Sequence, residues 1–184
     1  MTTNKFSQRK PTRLKGYDYS TPGAYFITVC THNKEHLLSN IVGECFHTIP
    51  KPILTETGKE VEKTIQYIND NYDGVSISKY VIMPNHIHLI VELLESDGTG
   101  GRGNPPLQNV IGQLKSYTTN KYGKNLWQRS FHDHIIRNKE DYNKIWEYID
   151  TNPLKWELDC FYKPKKNSEK ISLFFFWFRN TNLF

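Results

Sequence analysis

Tyr80-Val81-Ile82-Met83-Pro84-Asn85-His86-Ile87-His88-Leu89-Ile90-Val91-Glu92 is the stretch on which the reading of this chain turns. An apolar run breaks at Pro84-Asn85, then resumes with two histidines one residue apart. In a β-strand successive side chains point to opposite faces, so His86 and His88 share one face while Ile87 and Leu89 take the other. Two imidazoles side by side are half of a metal site. The rest of the chain must supply the other half.

Outward from that stretch, the order of elements sets the fold class. Ala24 to Thr31 reads as a buried strand, and Gly43 to Ile49 as a short second one closed by Pro50 and Pro52. Thr55 opens a helix whose apolar face is Val61, Ile65, Ile68 and Tyr72, stopped by Asn71-Tyr72-Asp73-Gly74. Val75 to Met83 and His86 to Leu93 form a strand pair or one bent strand, because Pro84 forbids an uninterrupted ladder. Leu107, Val110, Ile111 and Leu114 stripe a second helix, Ser130 to Arg137 reads as a strand, and Lys139 to Asp150 as a last helix ended by Asn152-Pro153. The order implies an α+β sandwich, helices packed on an antiparallel sheet, with a ferredoxin-like arrangement the simplest candidate.

A chain of 184 residues fits one domain with a real core. Cys30, Cys45 and Cys160 are odd in number and far apart, which argues against a disulfide framework or thiolate zinc site and for a reducing, cytoplasmic setting. No apolar run reaches the roughly 18 residues a membrane span needs, and the basic N-terminus lacks an apolar signal core. The net charge of +5 is unevenly spread: residues 1–17 carry +5 and residues 163–184 carry +4, leaving −4 between them. Three segments are expected: a basic arm over 1–17, a folded domain over 18–162, and a basic linker with an apolar tail over 163–184. The tail, Ile171 to Phe178, is too short to cross a membrane and fits docking on the sheet or self-association, so homodimer and monomer both remain open. Basic stretches beside an acidic body fit a polyanion partner, or simply solvated surface. The glycine-rich run from Ser96 to Pro106 reads as a flexible loop, and because it lacks the Lys-Ser/Thr of a phosphate loop that motif is rejected.

On the last helix Tyr142, Ile145, Trp146 and Ile149 make the core stripe, and Tyr148 and Asn152 are neighbours four residues apart on its flank. A flanking tyrosine is often only a half-buried aromatic, and an Asn before Pro a helix terminus. Together with His86 and His88 they suit one reaction, in which a divalent ion polarises a phosphodiester and a phenol attacks phosphorus. His132 and His134 form a second His-x-His pair, which competes for the metal or serves strand packing or DNA contact.

The run Pro84-Asn85-His86-Ile87-His88 resembles the HUH motif of single-tyrosine transposases of insertion sequences. Trp146-Glu147-Tyr148-Ile149-Asp150-Thr151-Asn152-Pro153 resembles their nucleophile helix, above all in the REP-associated tyrosine transposases. Further similarity lies in Arg13 to Tyr19, Gly23 to Val29 and Leu126 to His134, covering residues 9–160 in order. The resemblance implies an HUH nuclease fold that cuts and rejoins single-stranded DNA near hairpins, with Mg²⁺ or Mn²⁺, no nucleotide cofactor and a covalent phosphotyrosine. It assigns Tyr148 as nucleophile and His86, His88 and Asn152 as metal ligands, and it favours His86 and His88 over the second pair. It also implies a cytoplasmic, nucleoid-associated protein. A single strand would be held by cations on phosphates and aromatics on bases, for which Arg9, Arg13, Lys15, Lys115, Lys121, Lys124, Trp127 and Arg129 are candidates. The rival readings are a domesticated hairpin-binding protein with little cleavage, a metal-dependent hydrolase of small phosphoesters, and a ferredoxin-like RNA binder.

Overall fold

The structure, a computed structural model, describes residues 13–43, 49–95 and 105–162. Arg9 and the tail beyond 162 lie outside the described residues. A four-stranded antiparallel sheet runs in the order β4 (Val75–Ile82), β5 (His86–Leu93), β1 (Gly23–Cys30), β6 (His132–Ile136). Helix α1 (Glu56–Asn71) joins β1 to β4 and α2 (Leu107–Tyr122) joins β5 to β6. This β-α-β-β-α-β order with β1 and β5 central is the ferredoxin-like arrangement. A third helix, α3 (Lys139–Thr151), follows β6.

The two faces of the sheet bury different residues. Tyr25, Ile27 and Val29 of β1 and Ile87, Leu89, Val91 and Leu93 of β5 pack beneath α1 and α2, with Val61, Ile65, Val110, Ile111 and Leu114. The opposite face carries Phe26, Ile90, Val81 and Met83 beneath Ile145 and Ile149 of α3. A register shift between Ile77 and Lys79 lets β4 send Val75 and Ile77 to the first face and Val81 to the second. His86 and His88 alternate with Ile87 and Leu89, so they lie on the α3 face.

Helix ends follow local chemistry. The Thr55 hydroxyl accepts from Gly58 N at 3.1 Å to cap α1, Asn138 accepts from Asp141 N at 2.8 Å to cap α3, and Gly123, at φ 76°, closes α2. The expected strand at 43–49 is displaced. The pairing segments are β2 (Ser39–Val42) and β3 (Lys51–Leu54), a separate two-stranded ribbon, and residues 44–48 are outside the description. Pro52 sits inside β3 opposite Ile41, which a two-stranded ribbon tolerates because one edge needs no donor. The last helix stops at Thr151, directly before the expected Asn152-Pro153, and 3₁₀ turns kinked at Lys155 follow over Asn152–Leu158, with Pro153 in the first turn, where a missing N–H is harmless. Among the described residues no helix is long and apolar enough to cross a membrane.

Candidate active site

His86 and His88 are fully buried, their rings 4.5 Å apart and their Nε2 atoms 3.0 Å apart. Each ring is held at its other nitrogen. The Asn85 amide nitrogen donates to Phe161 O at 2.7 Å, so its oxygen is left to accept from His86 Nδ1–H at 2.9 Å. That places the His86 lone pair on Nε2. Thr28, the β1 partner of His88 in register, brings its hydroxyl to 2.8 Å from His88 Nδ1. Phe26 stacks on His88 at 5.2 Å, and Phe161 lies 4.8 Å from the His86 ring. Burial pushes the His86 imidazole down to about 3, helped by the charge of Lys34. Burial, then the neighbouring His86, lowers His88 as well, against the opposing charge of Asp159. Both rings are therefore neutral near pH 7, the state that ligates metals.

Helix α3 carries Tyr148 over this pair. Its hydroxyl lies 3.4 Å from His88 Nε2, its ring 5.2 Å from His88 and edge-on to Phe26 at 5.9 Å, and the residue is 38% exposed. Burial first, then the charges of Asp159 and Cys160, push the phenol up to about 12, opposed by a hydrogen bond from Asn152. Asn152, one turn on, is buried. Its Nδ2 donates to Asp159 Oδ2 at 3.0 Å, while its Oδ1 is buried with no hydrogen-bond partner.

The four residues expected to act together, His86, His88, Tyr148 and Asn152, are thus adjacent. Asp159 was not anticipated: a histidine nitrogen from each ring and one of its carboxylate oxygens lie within 4.8 Å of one another. Its only sequence signal is an acid seven residues beyond Asn152, which matters only if the chain turns back after Pro153. Two neutral imidazole nitrogens and the Asp159 carboxylate form a donor set that fits a divalent cation, and Asn152, bonded to that carboxylate, keeps a buried amide oxygen with no partner.

The expected DNA contacts divide. Lys15, Lys121, Lys124 and Arg129 are exposed. Arg13 lies 3.9 Å from Asp133 and over the Phe131 ring. Two candidates are corrected. Trp127 is 6% exposed and its indole N–H donates to Thr118 Oγ1 at 2.7 Å, so its ring belongs to the core and cannot stack on a base. Lys115 donates to the Gln128 and Arg129 carbonyls at 2.7 and 2.8 Å, so its ammonium ties α2 to the following loop. Lys121 and Lys124 lie at the end of α2, on the sheet face away from Tyr148. The second histidine pair is exposed on β6, with His134 bonded to Asp141 at 2.8 Å.

The chain is 34% identical over 175 residues to an uncharacterized protein of Haemophilus influenzae, covering 84% of this chain and 93% of that one. It is 35% identical over 80 residues to the REP-associated tyrosine transposase of Escherichia coli, 43% of this chain and 44% of that protein. Among solved structures, a REP-associated tyrosine transposase bound to a REP hairpin superposes with a TM-score of 0.57 at 25% identity, over 78% of this chain and 73% of that one. No protein-family model matches the chain. The chain is thus a homologue of proteins named REP-associated tyrosine transposases and is similar in fold to one of them.

Proposed function

We propose that this protein cuts and rejoins single-stranded DNA beside hairpins, with Tyr148 as the nucleophile of a covalent 5′-phosphotyrosine intermediate. The convergence of the Tyr148 hydroxyl on His88, 3.4 Å away on the face that also holds His86 and Asn152, carries this. The relationship to a transposase solved on a REP hairpin supports the substrate class.

Tyr148 Oη attacks phosphorus, an O–P bond forms, and the P–O3′ bond breaks to release a 3′-hydroxyl. The phenolic proton leaves to water, which reaches the half-exposed ring, and the departing 3′ oxygen takes a proton from water to become that hydroxyl. Because the phosphotyrosine keeps the energy of the phosphodiester, a 3′-hydroxyl later attacks it, restores the tyrosine and rejoins a strand, so no nucleotide cofactor is needed. His86, His88 and the Asn152 amide oxygen hold a divalent cation, Mg²⁺ or Mn²⁺, which when bound supplies Lewis-acid polarisation of the phosphate oxygens. The phenol at about 12 does not ionise unaided at neutral pH, so it stays inert until a phosphate and its counter-charge are present. Partly exposed Arg13 and exposed Lys15 and Arg129 are proposed to follow the strand's phosphates, with Lys121 and Lys124 serving DNA held on the far helix layer.

Incubation of the protein with end-labelled single-stranded hairpin DNA and Mn²⁺ is expected to give a shortened strand and a protein-linked band on a denaturing gel, both abolished by EDTA. Tight hairpin binding with neither product under any divalent ion would instead establish a binding protein without cleavage.

A further inference from the structure

We propose that Asp159 is the positioning residue for Asn152: it holds the amide nitrogen, so that the amide oxygen is the atom offered beside His86 and His88. This rests on the reading of His86, His88 and Asn152 as the residues that hold the cation.

An amide turned by half a rotation presents a donor where an acceptor is needed, and nothing in its shape prevents the error. A carboxylate does prevent it, because it only accepts. Asp159 Oδ2 lies 3.0 Å from Asn152 Nδ2, so the nitrogen must face Asp159. The carboxylate is itself fixed, its Oδ1 accepting from Phe161 N at 2.7 Å. The amide oxygen is then the buried atom with no partner, while both Asp159 oxygens have one. A buried acceptor without a donor is the exception in folded proteins and marks the atom as the one kept for a ligand.

The same arrangement serves the other two residues. Asn85 fixes His86 from behind and Thr28 fixes His88. Asn85 is in turn anchored on Phe161 O at 2.7 Å, so the short stretch from Asp159 to Phe161 sets the orientation of His86 and of Asn152 together. Partners of this kind commonly change metal affinity by about 10- to 100-fold when removed.

The test uses the full chain and Mn²⁺ alone, with free Mn²⁺ followed by electron paramagnetic resonance. In Asp159→Asn, Phe161 N still takes the one remaining oxygen and the new NH₂ faces Asn152, which must turn its oxygen away from the histidines. Mn²⁺ affinity is expected to fall by about 10- to 100-fold. In an Asn152→Ala background the same substitution is expected to have an effect at least about tenfold smaller, since Asp159 acts through Asn152. The exchange Asn152→Asp with Asp159→Asn restores a donor facing an acceptor and is expected to bind Mn²⁺ at least as well as about a third of the wild-type affinity. Should Asp159→Asn fail to fold, the exchange variant decides alone: binding no better than Asn152→Ala overturns the proposal. An Asp159→Asn effect that is absent, or equal in both backgrounds, overturns it as well. If wild type takes up no Mn²⁺ at millimolar concentration, the cation-holding reading itself falls, and this proposal with it.

Discussion

A Tyr148→Phe protein is expected to lose strand cleavage by at least about 10⁴-fold while it still folds and still binds hairpin DNA. The loss follows from chemistry, since without the phenolic oxygen there is no atom to form the bond to phosphorus. The ring stays in place. It is held edge-on to Phe26 at 5.9 Å and lies 5.2 Å from His88, and phenylalanine keeps both contacts. The hydroxyl contributes little to the fold: its bond to His88 is long, at 3.4 Å, and the residue is 38% exposed. Stability is therefore expected to change by no more than about 0.5 kcal/mol. Gel shift on an uncleaved hairpin and a thermal melt, run beside the cleavage assay, separate this outcome from misfolding. Retained cleavage would assign the nucleophile elsewhere, and Tyr142 is the alternative on the same helix. Tyr142, however, has its hydroxyl on Glu92 at 2.9 Å and Ser78 at 3.2 Å, away from the histidines.

The largest effect on stability is expected from a glycine remote from the chemistry. Gly58 lies in the first turn of α1, and a Cβ placed there would stand 2.0 Å from the Leu38 carbonyl oxygen. That oxygen cannot yield easily, because it accepts from Thr55 N at 2.9 Å and from the Thr55 hydroxyl at 3.0 Å. Leu37 and Leu38 in turn donate to Pro84 O at 2.9 and 3.0 Å, in the turn that leads into His86. Gly58→Ala must therefore separate α1 from the Leu38 segment or push that segment against the turn. A loss of about 3 kcal/mol or more is expected, against the gain of up to about 1 kcal/mol that alanine normally brings within a helix. For a chain of this size that corresponds to a fall of roughly 6–12 °C in Tm. A melt unchanged within about 2 °C would show that α1 and Leu38 are not locked together as described.

What could be read from the sequence was what local pattern controls. The alternation of His86, Ile87, His88 and Leu89 put both imidazoles on one sheet face, and the 3.6-residue period put Tyr148 and Asn152 on one helix flank. Thr55, a residue type that caps helices, marked where the first one begins. What escaped was set by distant contacts. Asp159 is brought to the site by the kinked 3₁₀ turns that follow α3, and no local signal announces their course. Trp127 and Lys115 were candidates for DNA because an aromatic and a cation suit that role anywhere on a surface. Their true partners, Thr118 and the carbonyls of Gln128 and Arg129, are apparent only once α2 and the following loop meet. The ribbon of β2 and β3 was misplaced because Pro50 and Pro52 were read as terminators. In a two-stranded ribbon Pro52 takes a position that an interior strand would refuse.

The most direct measurement is the site of covalent attachment. After reaction with a single-stranded hairpin and Mn²⁺, nuclease trimming and proteolysis, mass spectrometry should find the residual nucleotide on the peptide spanning 145–155, joined by a phosphodiester to Tyr148. Attachment at any other residue, or strand cleavage that proceeds with no nucleotide on the protein, would contradict the phosphotyrosine mechanism.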